Sequence, residues 1–154
     1  MAISVGDKVQ DFTLQNSEGK KMTLSELTTD KKALLLFFPL AFSSTCTDEM
    51  CTTRDNMKMY NSLNAAVAGI SVDSFFTLKE FKKANNLNFT LLSDFNREVA
   101  EQFGVLYEDF YGLRGVSKRA AFVINSEKVT EYAEILDDAD ELPDFGAIVK
   151  ALAR

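Results

Sequence analysis

Residues 33–46 have the sequence ALLLFFPLAFSSTC. This stretch contains a predicted strand, a proline that ends it and a loop that leads into a predicted helix. The six apolar residues 33–38 are typical of a strand that is covered on both faces of a sheet. Pro39 ends this strand, because proline offers no backbone N–H to a sheet. The loop 40–45 leads into a predicted helix from about Cys46 to Asn61. A buried strand that passes directly into a helix indicates an α/β protein.

The start of this helix is predicted from its polar residues. Ser44 or Thr45 is the expected N-cap, with Asp48 and Glu49 in the first turn. Cys46 then lies where backbone N–H groups and the helix dipole favour a thiolate. The two carboxylates act against that thiolate, so a cationic group from elsewhere in the chain must offset them.

The other elements follow from apolar periodicity and turn residues. A hairpin is expected from residues 11–14 and 21–23, and one helical turn at 25–27. Helix 75–85 is expected to bury an apolar face made of Phe76, Leu78, Phe81 and Ala84. The remaining predicted strands are 65–72, 89–92, 120–124 and 129–135, and the remaining predicted helices are 96–103 and 144–153. This order predicts an α/β fold in one domain, 1–154, with a central mixed sheet, flanking helices and an N-terminal β-hairpin.

Composition excludes several classes of function. The chain has 154 residues and a formal charge of −6, and an acidic surface repels the nucleic-acid backbone. The longest apolar run, 33–42, is too short to span a bilayer. A signal peptide has a basic segment followed by an apolar one, and the first residues of this chain show neither, so we expect a cytoplasmic protein. The acidic segment 137–144 is interpreted as a solvated loop without a function.

The cysteines are the candidate reactive groups, and the chain has no histidine. Without histidine there is no Cys-His or Ser-His pair, and two cysteines are too few for a zinc site, so no metal or cofactor is expected. Arg119 directly precedes the predicted strand 120–124. If that strand neighbours 33–38, Arg119 can reach the sulfur of Cys46 with a planar, permanently charged group. The hydroxyl of Ser43 is three residues before the sulfur and can hydrogen-bond the same oxygens.

Two motifs resemble the peroxiredoxin family. Pro39–Cys46 matches the signature P-x-x-x-[ST]-x-x-C, and 47–49 fits its T-x-E continuation. The segment 119–124, with an arginine at the head of a strand, is similar to the second signature of the family. Segments 37–42 and 91–95 are most similar to the AhpE-like and bacterioferritin-comigratory (PrxQ) groups. The resemblance implies a thioredoxin-like fold and a thiol-dependent peroxidase that reduces hydrogen peroxide and organic hydroperoxides.

The resemblance also implies a role for each residue of the motifs. Cys46 would be the peroxidatic cysteine, which forms a sulfenic acid, and Ser43 would orient the peroxide. Pro39 would shield the pocket from water, Arg119 would stabilise the thiolate and the transition state, and Glu49 would hold the arginine.

Cys51 has the spacing of the resolving cysteine in many PrxQ-like proteins. Five residues along an intact helix separate two Cα atoms by ~8.6 Å, whereas a disulfide requires about 7 Å or less. A Cys46–Cys51 disulfide therefore requires the first turns of the helix to unwind. The alternatives are a one-cysteine peroxidase that is reduced by an external thiol, and a non-enzymatic redox sensor or thiol–disulfide exchange protein.

The partners are predicted only as classes. The reductant is thioredoxin, glutaredoxin or a small thiol, and the protein is a monomer or a homodimer. The segment 105–113, rich in aromatic residues, either lines the pocket rim, forms a dimer contact or packs on the core.

Overall fold

The computed structural model describes all residues from Met1 to Arg154. The strands are β1 (Thr13–Asn16), β2 (Lys21–Thr23), β3 (Lys32–Phe37), β4 (Ala65–Ser71), β5 (Thr90–Ser93), β6 (Arg119–Ile124) and β7 (Thr130–Leu136). The helices are α1 (Leu24–Leu27), α2 (Ser44–Asp55), α3 (Met57–Ser62), α4 (Phe75–Ala84), α5 (Glu98–Phe103) and α6 (Phe145–Ala153). None of these helices has the length and hydrophobicity needed to cross a lipid bilayer.

The seven strands form one mixed sheet in the order β2-β1-β5-β4-β3-β6-β7. Strands β3, β4 and β5 are parallel to one another, while β6 runs antiparallel to β3, and β1 antiparallel to β5. Strands β1 and β2 form the N-terminal hairpin, two residues later at β1 than the sequence predicts. The prediction of a mixed α/β sheet with an N-terminal hairpin is confirmed.

The core lies on both faces of this sheet, and β3 contributes to both. Leu34, Leu36 and Phe38 pack on one face against α2, α3, α4 and α6. Leu35 and Phe37 face the other side, where α1 and α5 cover them. All of these residues are fully buried, as the apolar run 33–38 predicts. The strand that leads to the cysteine is therefore clamped between two layers of helices.

Two helix predictions are wrong in detail. The single helix predicted from Cys46 to Asn61 is two helices, because Asn56 leaves helical geometry with φ −108° and ψ 9°. Its side-chain amide donates to the carbonyl of Thr52 at 2.8 Å, a local bond that competes with helix continuation. In α4, Leu78 and Phe81 are buried as predicted. Phe76, which is 70% exposed and stacks on Phe75, and Ala84, which is exposed, lie outside the buried face.

The parallel strands place three helix starts at one edge of the sheet. Helix α2 follows β3, α4 follows β4 and α5 follows β5. The carboxyl ends of parallel strands lie at the same edge, which is the usual place for functional groups in an open α/β sheet.

Candidate functional site

The candidate site is built on the first turn of α2. The helix begins at Ser44, with Ser43 as the N-cap, so Cys46 is its third residue. The predicted N-cap at Ser44 or Thr45 is therefore wrong by one or two residues. The first backbone bond of the helix joins Thr47 N–H to the carbonyl of Ser43 at 2.9 Å. The N–H groups of residues 44–46 bind no protein acceptor, which leaves the positive end of the helix free at the cysteine.

The earlier helix start also moves the two carboxylates. Asp48 and Glu49 fall in the second turn, and no acidic residue lies in the first. Asp48 is exposed to solvent, whereas Glu49 is fully buried. Only Glu49 therefore belongs to the site, and the opposition from Asp48 is weaker than the sequence suggests, because solvent screens it.

Arg119 supplies the cation that the sequence requires. Strand β6 pairs antiparallel with β3, with Ala120 opposite Phe37, so Arg119 lies beside the end of β3. Its Nη2 donates to Cys46 Sγ at 3.4 Å. The sulfur is fully buried and the arginine is 1% exposed. Because water is excluded, the attraction between the guanidinium and a thiolate is weakly screened.

Glu49 holds the same guanidinium from the other side. Arg119 Nη1 donates to Glu49 Oε1 at 2.6 Å, and both side chains are buried. Burial raises the pKa of Glu49 to about 7, and Arg119 limits the rise. Burial acts to lower the pKa of Arg119, but Glu49 and Cys46 together outweigh it and raise that pKa. The guanidinium therefore remains charged while the carboxyl group can gain or lose a proton near neutral pH.

A third partner of Arg119 comes from the acidic segment 137–144. Nη2 also donates to the backbone carbonyl of Ala139 at 2.9 Å. This segment is fastened by Asp137, whose carbonyl accepts from Tyr107 Oη and whose carboxylate pairs with Lys118, both at 2.9 Å. The structure confirms that 137–144 is a mostly exposed loop, and within it the carbonyl of Ala139 contacts Arg119. A backbone carbonyl has no side-chain signature, so no sequence pattern indicates this contact.

The loop before the helix is also held in place. Asp73, which follows β4, accepts a hydrogen bond from the N–H of Ala41 at 2.8 Å. The next residue, Phe42, has a left-handed backbone with φ 70°, which is costly for a bulky side chain. Its ring packs edge-on against Phe81 at 5.2 Å. No sequence pattern indicates this role of Asp73, because only the neighbouring ends of β3 and β4 bring it to this loop.

A pocket of about 180 Å³ lies at the start of α2, beside Arg119. Pro39 and Ser43 line it, as do Arg119 and the rings of Phe110 and Tyr111. Its remaining lining residues are Ser44, Thr45, Ala139 and Asp140. Of the three settings considered for the segment 105–113, the structure places Phe110 and Tyr111 at the pocket rim.

Ser43 points its hydroxyl along the loop. Its Oγ donates to the carbonyl of Leu40 at 2.8 Å and makes no hydrogen bond to the sulfur. Because the hydrogen is used in that bond, the lone pairs of Oγ remain free to accept a hydrogen bond in the pocket. Pro39 is buried at the end of β3 and carries no N–H group.

Cys51 lies on the same helix, away from this pocket. Both cysteines are free thiols, and α2 is unbroken between them. The sulfur of Cys51 is half-buried and lies 3.8 Å from Asn85 Oδ1. The structure thus brings together Pro39, Ser43, Cys46, Glu49 and Arg119, and leaves Cys51 outside.

Comparison with known proteins points in one direction. The AhpC/TSA family model matches residues 5–133. The chain is 39% identical over 132 residues to the peroxiredoxin named bcp of Coxiella burnetii, covering 84% of this chain and 86% of that protein. It is 40% identical over 125 residues to the bcp protein of Haemophilus influenzae, covering 80% of each.

Solved structures share the fold. The chain superposes on the peroxidoxin BcpB of Mycobacterium tuberculosis with a TM-score of 0.85 and 32% identity. The match covers 98% of this chain and 95% of that one. The thioredoxin-like fold implied by the sequence motifs is thereby confirmed.

Proposed function

The chain belongs to the AhpC/TSA family of thiol peroxidases, the peroxiredoxins, and on that premise we propose that Cys46 is the residue that attacks hydroperoxides. The observation that carries this proposal is the 3.4 Å contact between Arg119 Nη2 and Cys46 Sγ. This contact lies at a helix start whose N–H groups are free. A thiolate is the reactive form of cysteine, and both features favour it.

The proposed reaction is a displacement on oxygen. The thiolate sulfur attacks the terminal oxygen of ROOH, an S–O bond forms and the O–O bond breaks. The leaving alkoxide takes a proton and departs as ROH, and Cys46 becomes a sulfenic acid. Arg119 and the free N–H groups of α2 would stabilise negative charge on the leaving oxygen, as donors do in an oxyanion hole.

Ser43 and Pro39 have supporting roles in this proposal. The Ser43 hydroxyl would accept a hydrogen bond from the O–H of the peroxide, since its own hydrogen is donated to Leu40. The buried ring of Pro39 keeps water from the sulfur. A peroxide would approach the sulfur through the pocket that Pro39, Ser43 and Arg119 line.

Glu49 would position the arginine. Its carboxylate holds Nη1 at 2.6 Å, which leaves Nη2 directed at the sulfur. Hydrogen peroxide and small organic hydroperoxides are the proposed substrates, since the pocket offers both polar groups and the aromatic rings of Phe110 and Tyr111.

We further propose that Cys51 resolves the sulfenic acid as an intramolecular disulfide. The first turns of α2 would unwind, bringing the two sulfurs together. Unwinding begins at an end without a side-chain cap, which lowers its cost. The disulfide would then be reduced by thioredoxin, a glutaredoxin or a small thiol. The peroxidase itself would be a monomer or a homodimer.

A one-cysteine peroxidase is the second candidate, and the unbroken helix favours it. With α2 intact from Ser44 to Asp55, Cys51 cannot reach Cys46. In that case an external thiol would attack the sulfenic acid directly.

One experiment separates these possibilities. The fully reduced protein is mixed with one equivalent of hydrogen peroxide, the reaction is quenched at short times, and the intact mass is measured by mass spectrometry. Rapid loss of two hydrogens, replaced by gain of one oxygen in Cys51→Ser, supports the two-cysteine enzyme. Rapid gain of one oxygen in wild type supports the one-cysteine enzyme. Oxidation no faster than that of free cysteine contradicts the roles proposed for both residues and favours a redox sensor.

A further inference from the structure

Cys51 has polar neighbours that the attack on peroxide does not use. Its sulfur lies 3.8 Å from Oδ1 of Asn85, the residue that ends α4. The thiol donates weakly to that amide oxygen. A resolving cysteine has to react as a thiolate. Some neighbouring group must therefore favour loss of its proton when the helix opens.

Arg54 is the cationic group on the same side of α2. It follows Cys51 by three residues, a spacing that places two side chains side by side, with Cβ atoms about 5–6 Å apart. Its Nη1 donates to the backbone carbonyl of Asn85 at 2.6 Å, so both side chains converge on that residue. The hydrogen bond to Asp55, and to a smaller extent the charge of Cys51, raise the pKa of Arg54.

Arg54 also anchors the end of the helix. Asn88 Nδ2 donates to the carbonyl of Arg54 at 3.3 Å, and with the bond to Asn85 this ties α2 to the connection between α4 and β5. The opposite end, at Ser43, has no side-chain cap. In the proposed unwinding of α2, opening would start near Cys46 and would stop before the anchor. Cys51 lies at the boundary of the segment that stays in place.

We propose that Arg54 is a positioning residue of the resolving step. It holds Cys51 on the fixed end of α2 while residues 44–50 unwind, and its guanidinium favours the Cys51 thiolate. The thiolate sulfur attacks the sulfenic sulfur of Cys46, an S–S bond forms and the S–O bond breaks. The hydroxide that leaves takes a proton and becomes water. This inference rests on the resolving role proposed for Cys51.

Other charged groups near Cys51 act in both directions. Asp48 and Asp55 lie three residues before and four residues after it on α2 and oppose a thiolate. Lys82 and Lys83, in the last turn of α4, favour it. Arg54 differs from both lysines because it is bonded to Asn85, the residue that Cys51 touches.

The test measures two phases separately by rapid quench and intact mass: gain of oxygen, then loss of two hydrogens relative to the reduced protein. In Arg54→Gln the first phase should match wild type, and the second should be roughly tenfold slower near neutral pH. Raising the pH should restore the second phase, because a higher pH substitutes for the missing charge. Arg54→Lys should recover most of the rate. Lys83→Gln, which removes one exposed charge from α4, should slow the second phase much less than Arg54→Gln does.

The wild-type protein gives a second measurement that does not depend on the folding of a variant. Salt screens exposed charges more than buried ones. Added salt should therefore slow the second phase, which depends on the partly exposed Arg54, more than the first, which depends on the buried Arg119.

Three results overturn the inference. Equal second-phase rates in Arg54→Gln and wild type across the pH range would contradict the role of Arg54 alone and would leave Cys51 as the resolving residue. If Arg54→Gln slows the second phase equally at every pH, and Arg54→Lys does not restore the rate, Arg54 only holds the end of α2 in place and does not affect the Cys51 thiolate. Absence of any disulfide in wild type would remove this inference together with the proposed role of Cys51.

Discussion

The starts of α2 and α5 lie at the same edge of the sheet but differ in what their N–H groups bind. At α5 the carboxylate of Asp94, 1% exposed, accepts from Val99 N–H at 3.1 Å and from Ala100 N–H at 2.7 Å. At α2 no side chain caps the helix, and the cysteine occupies its first turn. The protein thus closes one positive helix end with its own anion and leaves the other open.

The difference indicates how a buried sulfur can be made reactive without histidine. At a capped helix end, the backbone N–H groups are bonded to an internal carboxylate and cannot donate to a substrate. The open end of α2 leaves three N–H groups without a protein acceptor, and in the proposed reaction they would stabilise the charge that develops on the leaving oxygen. Arg119 adds a full positive charge that is hydrogen-bonded to the sulfur. The cation at the start of α5, Arg97, donates instead to the carbonyl of Gly115 at 2.9 Å.

Removal of Arg119 should have the largest effect. In Arg119→Gln we expect the rate of Cys46 oxidation by hydrogen peroxide to fall about 10²–10³-fold, the usual loss when one transition-state donor is removed. Arg119→Lys should recover only part of this rate, because lysine cannot bind Glu49, Cys46 and Ala139 together. Stopped-flow or competition kinetics under second-order conditions measure the effect. A loss of less than about threefold would show that the open helix end suffices alone.

Glu49 should make the stability of the protein depend on pH. Its pKa is raised from 4.5 to about 7, so between these values the folded protein holds a proton that the unfolded chain has released. The contribution to the free energy of unfolding is complete below pH 4.5 and is lost as pH rises to about 7. The loss is at most about 3 kcal/mol.

Urea denaturation at about pH 5 and about pH 8 tests this expectation. In Glu49→Gln the free energy of unfolding should differ less between the two pH values than in wild type. Substitution of an exposed residue, Glu101→Gln, should leave the difference unchanged. An identical pH difference in Glu49→Gln and wild type would assign the dependence to other groups.

Asp94 should matter for stability and not for peroxide chemistry. Asp94→Ala leaves two buried N–H groups of α5 without an acceptor, and we expect a loss of about 2 kcal/mol in the free energy of unfolding. The rate of Cys46 oxidation in the folded protein should be unchanged. A fall in that rate comparable to the effect of Arg119→Gln would remove the functional distinction between the two helix starts.

Closing α2 should have the smallest effect of the four. In Ser43→Asp a carboxylate at the N-cap would accept from the N–H of Thr45 or Cys46 and repel the thiolate. We expect roughly tenfold slower oxidation and a slightly more stable helix. Ser43→Asn supplies a cap without the charge and separates loss of the hydroxyl from repulsion. Equal rates in the aspartate and asparagine variants would show that the helix end carries no charge effect.

The fold was largely predictable because its signals are local. The run 33–38 predicts a strand buried on both faces, and Gly104, with φ 71°, ends α5 as expected. The start of α2 was misplaced because Ser43, Ser44 and Thr45 are all suitable N-caps. The break at Asn56 was missed because it depends on one side chain competing with the backbone.

The site was predictable only where residue type carries the signal. Cys46, Glu49 and Arg119 are named by the two motifs, and the neighbouring strands β3 and β6 bring them together. The contacts of Arg119 with Ala139 and of Arg54 with Asn85 use backbone carbonyls. Such contacts depend on how distant segments pack, which no local pattern encodes.

We infer that the surroundings of Cys46 make it the reactive thiol. The most direct test compares the two single-cysteine proteins, Cys51→Ser and Cys46→Ser, by their second-order rate constants with hydrogen peroxide. We expect Cys51→Ser, which retains Cys46, to react orders of magnitude faster than free cysteine, and Cys46→Ser not to do so. Similar slow rates in the two proteins, or a faster rate in Cys46→Ser, would contradict it.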